Sequence, residues 1–180
     1  KEGVNVVTGI SSNKIKNFYR SYFIYKKKKL PFVTCKLAIS KDFFTINKKK
    51  KWITNFYSRS RVHLLRSYHD CVMTSSQTLI KDNSLLTCRI EGLKERSPSR
   101  VVLDNQLKIP MNSKIIKDNI KKKTIIFYNK TNKKKIKLLK NLGIKLFKIP
   151  LDINGNLDLI KVLMKTKNLG FSRIFLESGI

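Results

Sequence analysis

The most constraining stretch of the chain is 124–177, where apolar runs alternate with helix-like runs across short connections. Residues 124–128 (TIIFY) read as a strand. Residues 133–141 read as a helix closed by Gly143, and 145–149 as a second strand stopped by Pro150. Asn156 is placed to cap a helix running to about residue 168, Gly170 ends it, and 173–177 form the next strand. Strand, helix, strand, helix, strand with short links is the pattern of parallel βαβ units. An α/β fold follows, a mostly parallel sheet with helices on both faces, and such sheets place ligands at the carboxyl ends of their strands.

The upstream half fits this frame less regularly. Residues 32–39, between Pro31 and Ser40, are rich in β-formers and read as a strand. Thr54 or Asn55 can cap a helix to about Arg66. A short strand is expected at 70–74, a brief helical turn at 75–80, and two more strands at 85–90 and 100–103, with 91–99 as the loop between them.

Composition decides less than its charge suggests. The 180 residues carry 40 Lys and Arg against 11 Asp and Glu, a net charge of +29, yet charged residues make up an ordinary 28%. The skew is almost all lysine: 32 Lys to 8 Arg, alongside 21 Ile, 15 Asn and a single alanine, Ala38. Residues with A/T-rich codons are multiplied and those with G/C-rich codons are depleted, which points to a genome bias. A surface selected to grip phosphates would enrich arginine as well. A basic RNA- or ribosome-associated module is therefore kept as the second reading, and the expectation is no nucleic-acid partner. No run approaches the ~18 apolar residues of a membrane span, no signal peptide opens the chain, and no membrane partner is expected.

Cys35, Cys71 and Cys88 each lie in an apolar run and read as buried thiols of a reducing compartment. His63 and His69 have no metal ligands at suitable spacing, so no metal site is expected. Glycine-rich phosphate loops and the hydrolase nucleophile motif are also missing. Three polar sets fall at or just past strand ends: Lys36 with Asp42, Asp82 with Arg89, and Glu177 followed by Ser178 and Gly179. A lysine within an apolar strand must be paired or face a cleft, because a buried unpaired ammonium is costly.

Taken in order, these residues belong to a longer series of motifs. It comprises PFVTCKLAISKD (31–42), WIT (52–54), VHLLR (62–66), Asp70 followed by TSSxTLxxD (74–82), LTCR (86–89), RVVLD (100–104), DxxGxLDL (152–159) and FLESG (175–179). The series resembles the reductase domain of the bifunctional deaminase/reductase of riboflavin biosynthesis, over about residues 3–180. The chain departs from the family's usual residues at Phe43 (glycine), Asn83 (aspartate), Ser84 (proline), Lys49 and Lys50 (Glu-Ser) and Ser178 (often glycine).

The resemblance implies a dihydrofolate-reductase-like fold, truncated at the C-terminus. Residues 1–30 would be the link from an N-terminal deaminase domain and the start of the reductase domain, and 31–180 an incomplete reductase domain. Zinc would belong only to the deaminase. The implied activity is an NADPH-dependent oxidoreduction: the ribosyl group of 5-amino-6-(5-phosphoribosylamino)uracil is reduced to the ribitylamino product. By the same resemblance Ala38, Trp52, Thr78, Asp82, Asn105 and the loop from Gly179 would contact the cofactor, and Lys50, Arg66, Leu86, Arg89 and Glu177 the substrate. Lys36 and Asp82 would handle protons near the ribosyl group, and Arg66 and Arg89 would meet the substrate's phosphate. A homo-oligomer in the cytoplasm is expected. A reductase of the same fold acting on another pyrimidine or pteridine stays open, because fold does not fix substrate.

Overall fold

The structure is a computed structural model that describes residues 3–44, 53–119, 123–130 and 132–177. Its centre is a six-stranded sheet: β1 (Phe32–Lys36), β2 (Cys71–Ser75), β3 (Ser99–Leu103), β4 (Thr124–Tyr128), β5 (Lys145–Lys148) and β6 (Arg173–Glu177). The spatial order is β1-β6-β2-β3-β4-β5, and every neighbouring pair is parallel. Short helices α1 (Ser12–Phe18) and α2 (Arg20–Phe23) and a π-helical turn at Ile24–Lys28 precede β1.

Helix placement follows from the direction of each step across the sheet. From β1 to β5 the chain always moves the same way, so right-handed crossovers put their helices on one face. These are α3 (Phe56–Ser67), α4 (Ser76–Asp82), α5 (Lys114–Lys117) and α6 (Lys133–Asn141). The step from β5 to β6 runs backwards, so α7 (Leu159–Asn168) covers the other face. The two cores match this layout. In one, Val72, Val102, Ile126 and Phe175 pack against Leu79, Ile115, Ile116 and Leu139, with Val62 and Leu65 of α3 at its margin. In the other, Cys71, Met73, Val101, Ile125, Phe127 and Ile174 pack against Val162 of α7. Alternate residues of the central strands β2, β3, β4 and β6 thus go to opposite cores, which is why these strands read as unbroken apolar runs.

Several elements differ from expectation. Residues 85–90 form no strand: Leu86 takes a left-handed backbone (φ 57°), and both sheet positions beside β2 are filled by β3 and β6. The apolar character of that run reflects burial of Leu86 and Cys88. β1 stops at Lys36. The turn expected at 75–80 is α4, capped by Ser75 Oγ, which accepts from the Thr78 N–H (3.2 Å). α7 is capped by Asp158, not Asn156, whose own N–H donates to Asp152 Oδ1 (2.9 Å). Cys71 and Cys88 are buried, but Cys35 is exposed on β1, the edge strand that pairs with β6.

Candidate active site

β6, inserted between β1 and β2, breaks the sequential order of the sheet, and the carboxyl ends of these three strands gather the charged groups. Lys36 ends β1 and is in register with Glu177, which ends β6. Both lie two residues beyond Thr34 and Phe175, so both project to the face that α3 covers. Arg66, in the last turn of α3 and only 8% exposed, reaches this edge.

Its guanidinium forks onto the carboxylate, with Nε to Oε1 at 2.6 Å and Nη2 to Oε2 at 2.9 Å. Nη1 donates to the Thr87 carbonyl at 2.9 Å. One side chain therefore joins α3, β6 and the irregular segment after α4. The side chains of the pair are 10% and 11% exposed, so removing either partner would strand a largely desolvated charge, at a cost of about 3–5 kcal/mol.

His63 sits one turn before Arg66. His63 Nδ1 lies 3.0 Å from the Thr87 carbonyl oxygen and 3.5 Å from Arg66 Nη1. Its pKa is lowered by burial first and then by the Arg66 guanidinium, with Arg89 adding to the effect. The Thr87 carbonyl and Glu177 pull the other way. His69, at the end of the same helix, donates from Nδ1 to Leu65 O (2.6 Å) and pairs Nε2 with Thr34 Oγ1 (2.8 Å), and burial lowers its pKa too.

The remaining residues singled out from the sequence are spread around this centre. Leu86 is buried in the core beneath the helices, so what it can offer a ligand is its main chain. Arg89 is exposed two residues beyond Thr87. Thr78 lies in the first turn of α4, whereas Asp82 is its exposed last residue, about 6 Å further along the axis. Among the described residues neither Lys36 with Asp42 nor Asp82 with Arg89 forms an ion pair. Ala38 is half-buried just past β1. Trp52, Lys50, Lys49, Ser178 and Gly179 lie outside the described residues.

Two buried oxygens at this edge have no hydrogen-bond partner among the described residues: Thr74 Oγ1 in β2 and Asn105 Oδ1 just past β3. The Asn105 amide nitrogen donates to the Gly155 carbonyl (3.3 Å), which ties the 152–156 turn over the ends of β3 and β4. Orphaned buried oxygens are uncommon and mark places where a ligand donor can be accommodated. Sequence reasoning overlooked His63, Thr87 and Thr74. The three-residue spacing of His63 and Arg66 on one helix face was the available signal; a backbone carbonyl such as that of Thr87 leaves none.

Comparison with known proteins agrees with the motif series. The family model for the RibD C-terminal domain matches residues 31–180. The riboflavin biosynthesis protein RibD of Aquifex aeolicus is 30% identical over 179 residues, which cover 98% of this chain and 48% of that protein. Its counterpart in Actinobacillus pleuropneumoniae is 28% identical over 98% of this chain and 47% of its own length. The chain thus spans about half the length of these relatives. Among solved structures, Acinetobacter baumannii RibD superposes with a TM-score of 0.76 at 22% identity, covering 95% of this chain and 46% of that one. The Saccharomyces cerevisiae riboflavin biosynthesis reductase Rib7 superposes at 0.63 and 20% identity, covering 92% and 72%. These likenesses show a dihydrofolate-reductase-like sheet. With the family match spanning everything from Pro31 onward, the chain belongs to the RibD C-terminal domain family.

Proposed function

We propose that this chain is a reductase domain of riboflavin biosynthesis that uses NADPH to reduce the ribosyl group of 5-amino-6-(5-phosphoribosylamino)uracil to its ribitylamino product. The observation that carries this reading is the meeting of Lys36, Glu177 and Arg66 at the carboxyl edge of the sheet, from three separated motifs of the family series. The residues present fit a nucleotide cofactor, because Thr74 and Asn105 hold buried acceptors that lack donors among the described residues. Asn105, Thr78, Ala38 and Asp82 would hold NADPH, together with Trp52 and the loop at Gly179. NADPH supplies the hydride.

The chain's own groups orient the substrate and manage charge. Glu177, its carboxylate fixed by Arg66, accepts hydrogen bonds from ribosyl hydroxyls. Lys36, half-buried beside Glu177, is a proton donor within reach of the same substrate group. Asp82 is the other candidate proton handler. Arg89, exposed on the segment that carries Leu86, meets the phosphate, with Lys50 near it. Each chain is expected to act within a homo-oligomer in the cytoplasm.

The test is NADPH oxidation by the protein given the phosphorylated aminouracil. Turnover that requires both reactants supports the reading, and a folded protein with no turnover overturns it. Arg89→Ala should raise KM about tenfold with kcat little changed, as expected for loss of one charge-assisted phosphate contact. An unchanged KM would remove Arg89 from the phosphate site.

A further inference from the structure

We infer that His63 is a third arm of the substrate's phosphate site, binding the anion as an imidazolium beside Arg89 and the uncommitted N–H groups of Arg66. This rests on the reductase reading above and adds a residue to the site that reading assigns. Three groups converge on the segment that turns at Leu86 (φ 57°) and carries Thr87 and Arg89. From α3, His63 Nδ1 stands 3.0 Å and Arg66 Nη1 2.9 Å from the Thr87 carbonyl oxygen, one helical turn apart. From the segment itself, Arg89 is exposed two residues further on.

Charge at this corner is unbalanced. The charged groups that act on His63 are two guanidiniums, Arg66 and Arg89, and one carboxylate, Glu177. Arg59, one turn earlier on α3, is turned to the Thr54 carbonyl, and Lys94, Glu95 and Arg96 form the turn that packs on α3. The fork to Glu177 and the bond to Thr87 use three of the five Arg66 donors, which leaves one N–H on each Nη. Arg89 makes no ion pair and His63 Nε2 no hydrogen bond among the described residues. An anion balances the surplus cation and accepts from all of these donors at once. The protonated ring serves both neighbours, with Nδ1–H on Thr87 and Nε2–H on the phosphate. Without the anion, burial and the two guanidiniums hold the ring's pKa below 6.5, and a phosphate beside it raises that value. Between the two values binding takes up a proton, so the ring's contribution to capture fades as pH rises through the window.

The full chain is compared with His63→Asn, which keeps an amide N–H near the Nδ1 position and removes Nε2, and with His63→Gln, which puts an uncharged amide near Nε2. Each is assayed with the phosphorylated substrate and with the same substrate lacking its phosphate. His63→Asn should raise KM for the phosphorylated substrate about tenfold, the size of one charge-assisted hydrogen bond, with kcat nearly unchanged and no effect on the dephosphorylated substrate. The ratio of wild-type to His63→Gln KM should rise from about pH 6 to about pH 8, as the wild-type ring loses its proton. The phosphate's own ionisation is common to both proteins, so this difference belongs to the ring. Equal losses on the two substrates would make His63 a prop for Thr87 alone. That result, an unchanged KM or parallel pH profiles would overturn the inference.

A second measurement needs no turnover. In the wild-type protein at about pH 7, inorganic phosphate should move the NMR nitrogen signals of the His63 ring to imidazolium positions, and Arg89→Ala should weaken that response. A ring that phosphate leaves unmoved overturns the inference. If the wild type shows the shift but never reduces the aminouracil, the reductase reading fails while the anion site stands.

Discussion

Phe43 holds a left-handed backbone conformation (φ 64°) that costs an ordinary residue roughly 1–2 kcal/mol. Its ring is 80% exposed and repays little through packing. The turn around it is nonetheless well bonded: its N–H donates to Ser40 O (3.0 Å), and the Phe44 N–H donates to Ser40 Oγ (3.0 Å). The resemblance gives glycine as the usual residue here, and a positive φ is where glycine fits without strain. Phe43→Gly should raise the free energy of unfolding by about 1 kcal/mol, the left-handed strain being larger than the extra chain entropy of glycine. Urea titration of the two proteins would show it, and an unchanged or lower midpoint would mean the turn relaxes in solution. Asn83, the other departure with positive φ (43°), is a residue that tolerates this region, so the same change there should gain less. At this scale the sequence was legible where a charged side chain broke an apolar run. Lys36 and Glu177 stood out that way and Arg66 only through the resemblance, while the Thr87 carbonyl that Arg66 bonds carries no side-chain signature.

At the scale of elements, the βαβ units from β4 to β6 could be read from periodicity and glycine stops, because each strand carries a short apolar run and each helix buries one face. The 85–90 run could not. Burial without a strand partner looks the same in sequence as burial with one, and only the filled positions on either side of β2 tell them apart. The joint between α3 and the sheet also lay hidden, since it depends on a neutral histidine. His69 is 6% exposed, bonds Leu65 O and Thr34 Oγ1, and stacks on Phe175 at 5.2 Å, pinning the end of α3 to β1 and β6. Burial lowers the pKa of both His69 and His63 below the ordinary 6.5. Between those lowered values and 6.5 the unfolded chain binds more protons than the folded one, so stability rises with pH across the window and is lost as pH falls below 6.5. Urea midpoints should therefore drop steadily from pH 7 to about pH 5.5, before most carboxylates titrate, and the His69 ring signals should titrate with a midpoint below 6.5. A flat stability profile over that range would contradict the joint.

For the whole molecule the question is what 40 cations against 11 anions do to a folded body. Lysines sit on both sides of the sheet, on α6 over one face (Lys133, Lys134, Lys137, Lys140) and on α7 over the other (Lys161, Lys165, Lys167). A module built to bind RNA through its charge would gather them into one stripe. Spread this way, the lysines mostly repel one another, and the compact state bears more of that repulsion than the unfolded chain. The buried pairs Arg66–Glu177 and Arg100–Asp118 are shielded from salt, so screening acts chiefly on the surface. Raising NaCl from about 0.05 M to about 0.5 M shortens the Debye length from ~14 Å to ~4 Å and should increase the urea midpoint. The same change should weaken substrate capture, since both proposed ligands are phosphorylated anions drawn by the positive field, so KM should rise while the protein becomes more stable. Opposite responses of stability and KM are the signature of a diffuse lysine field. A midpoint that falls with salt would show instead that surface ion pairs outweigh the repulsion, and would return the +29 charge to the list of features that hold this fold together.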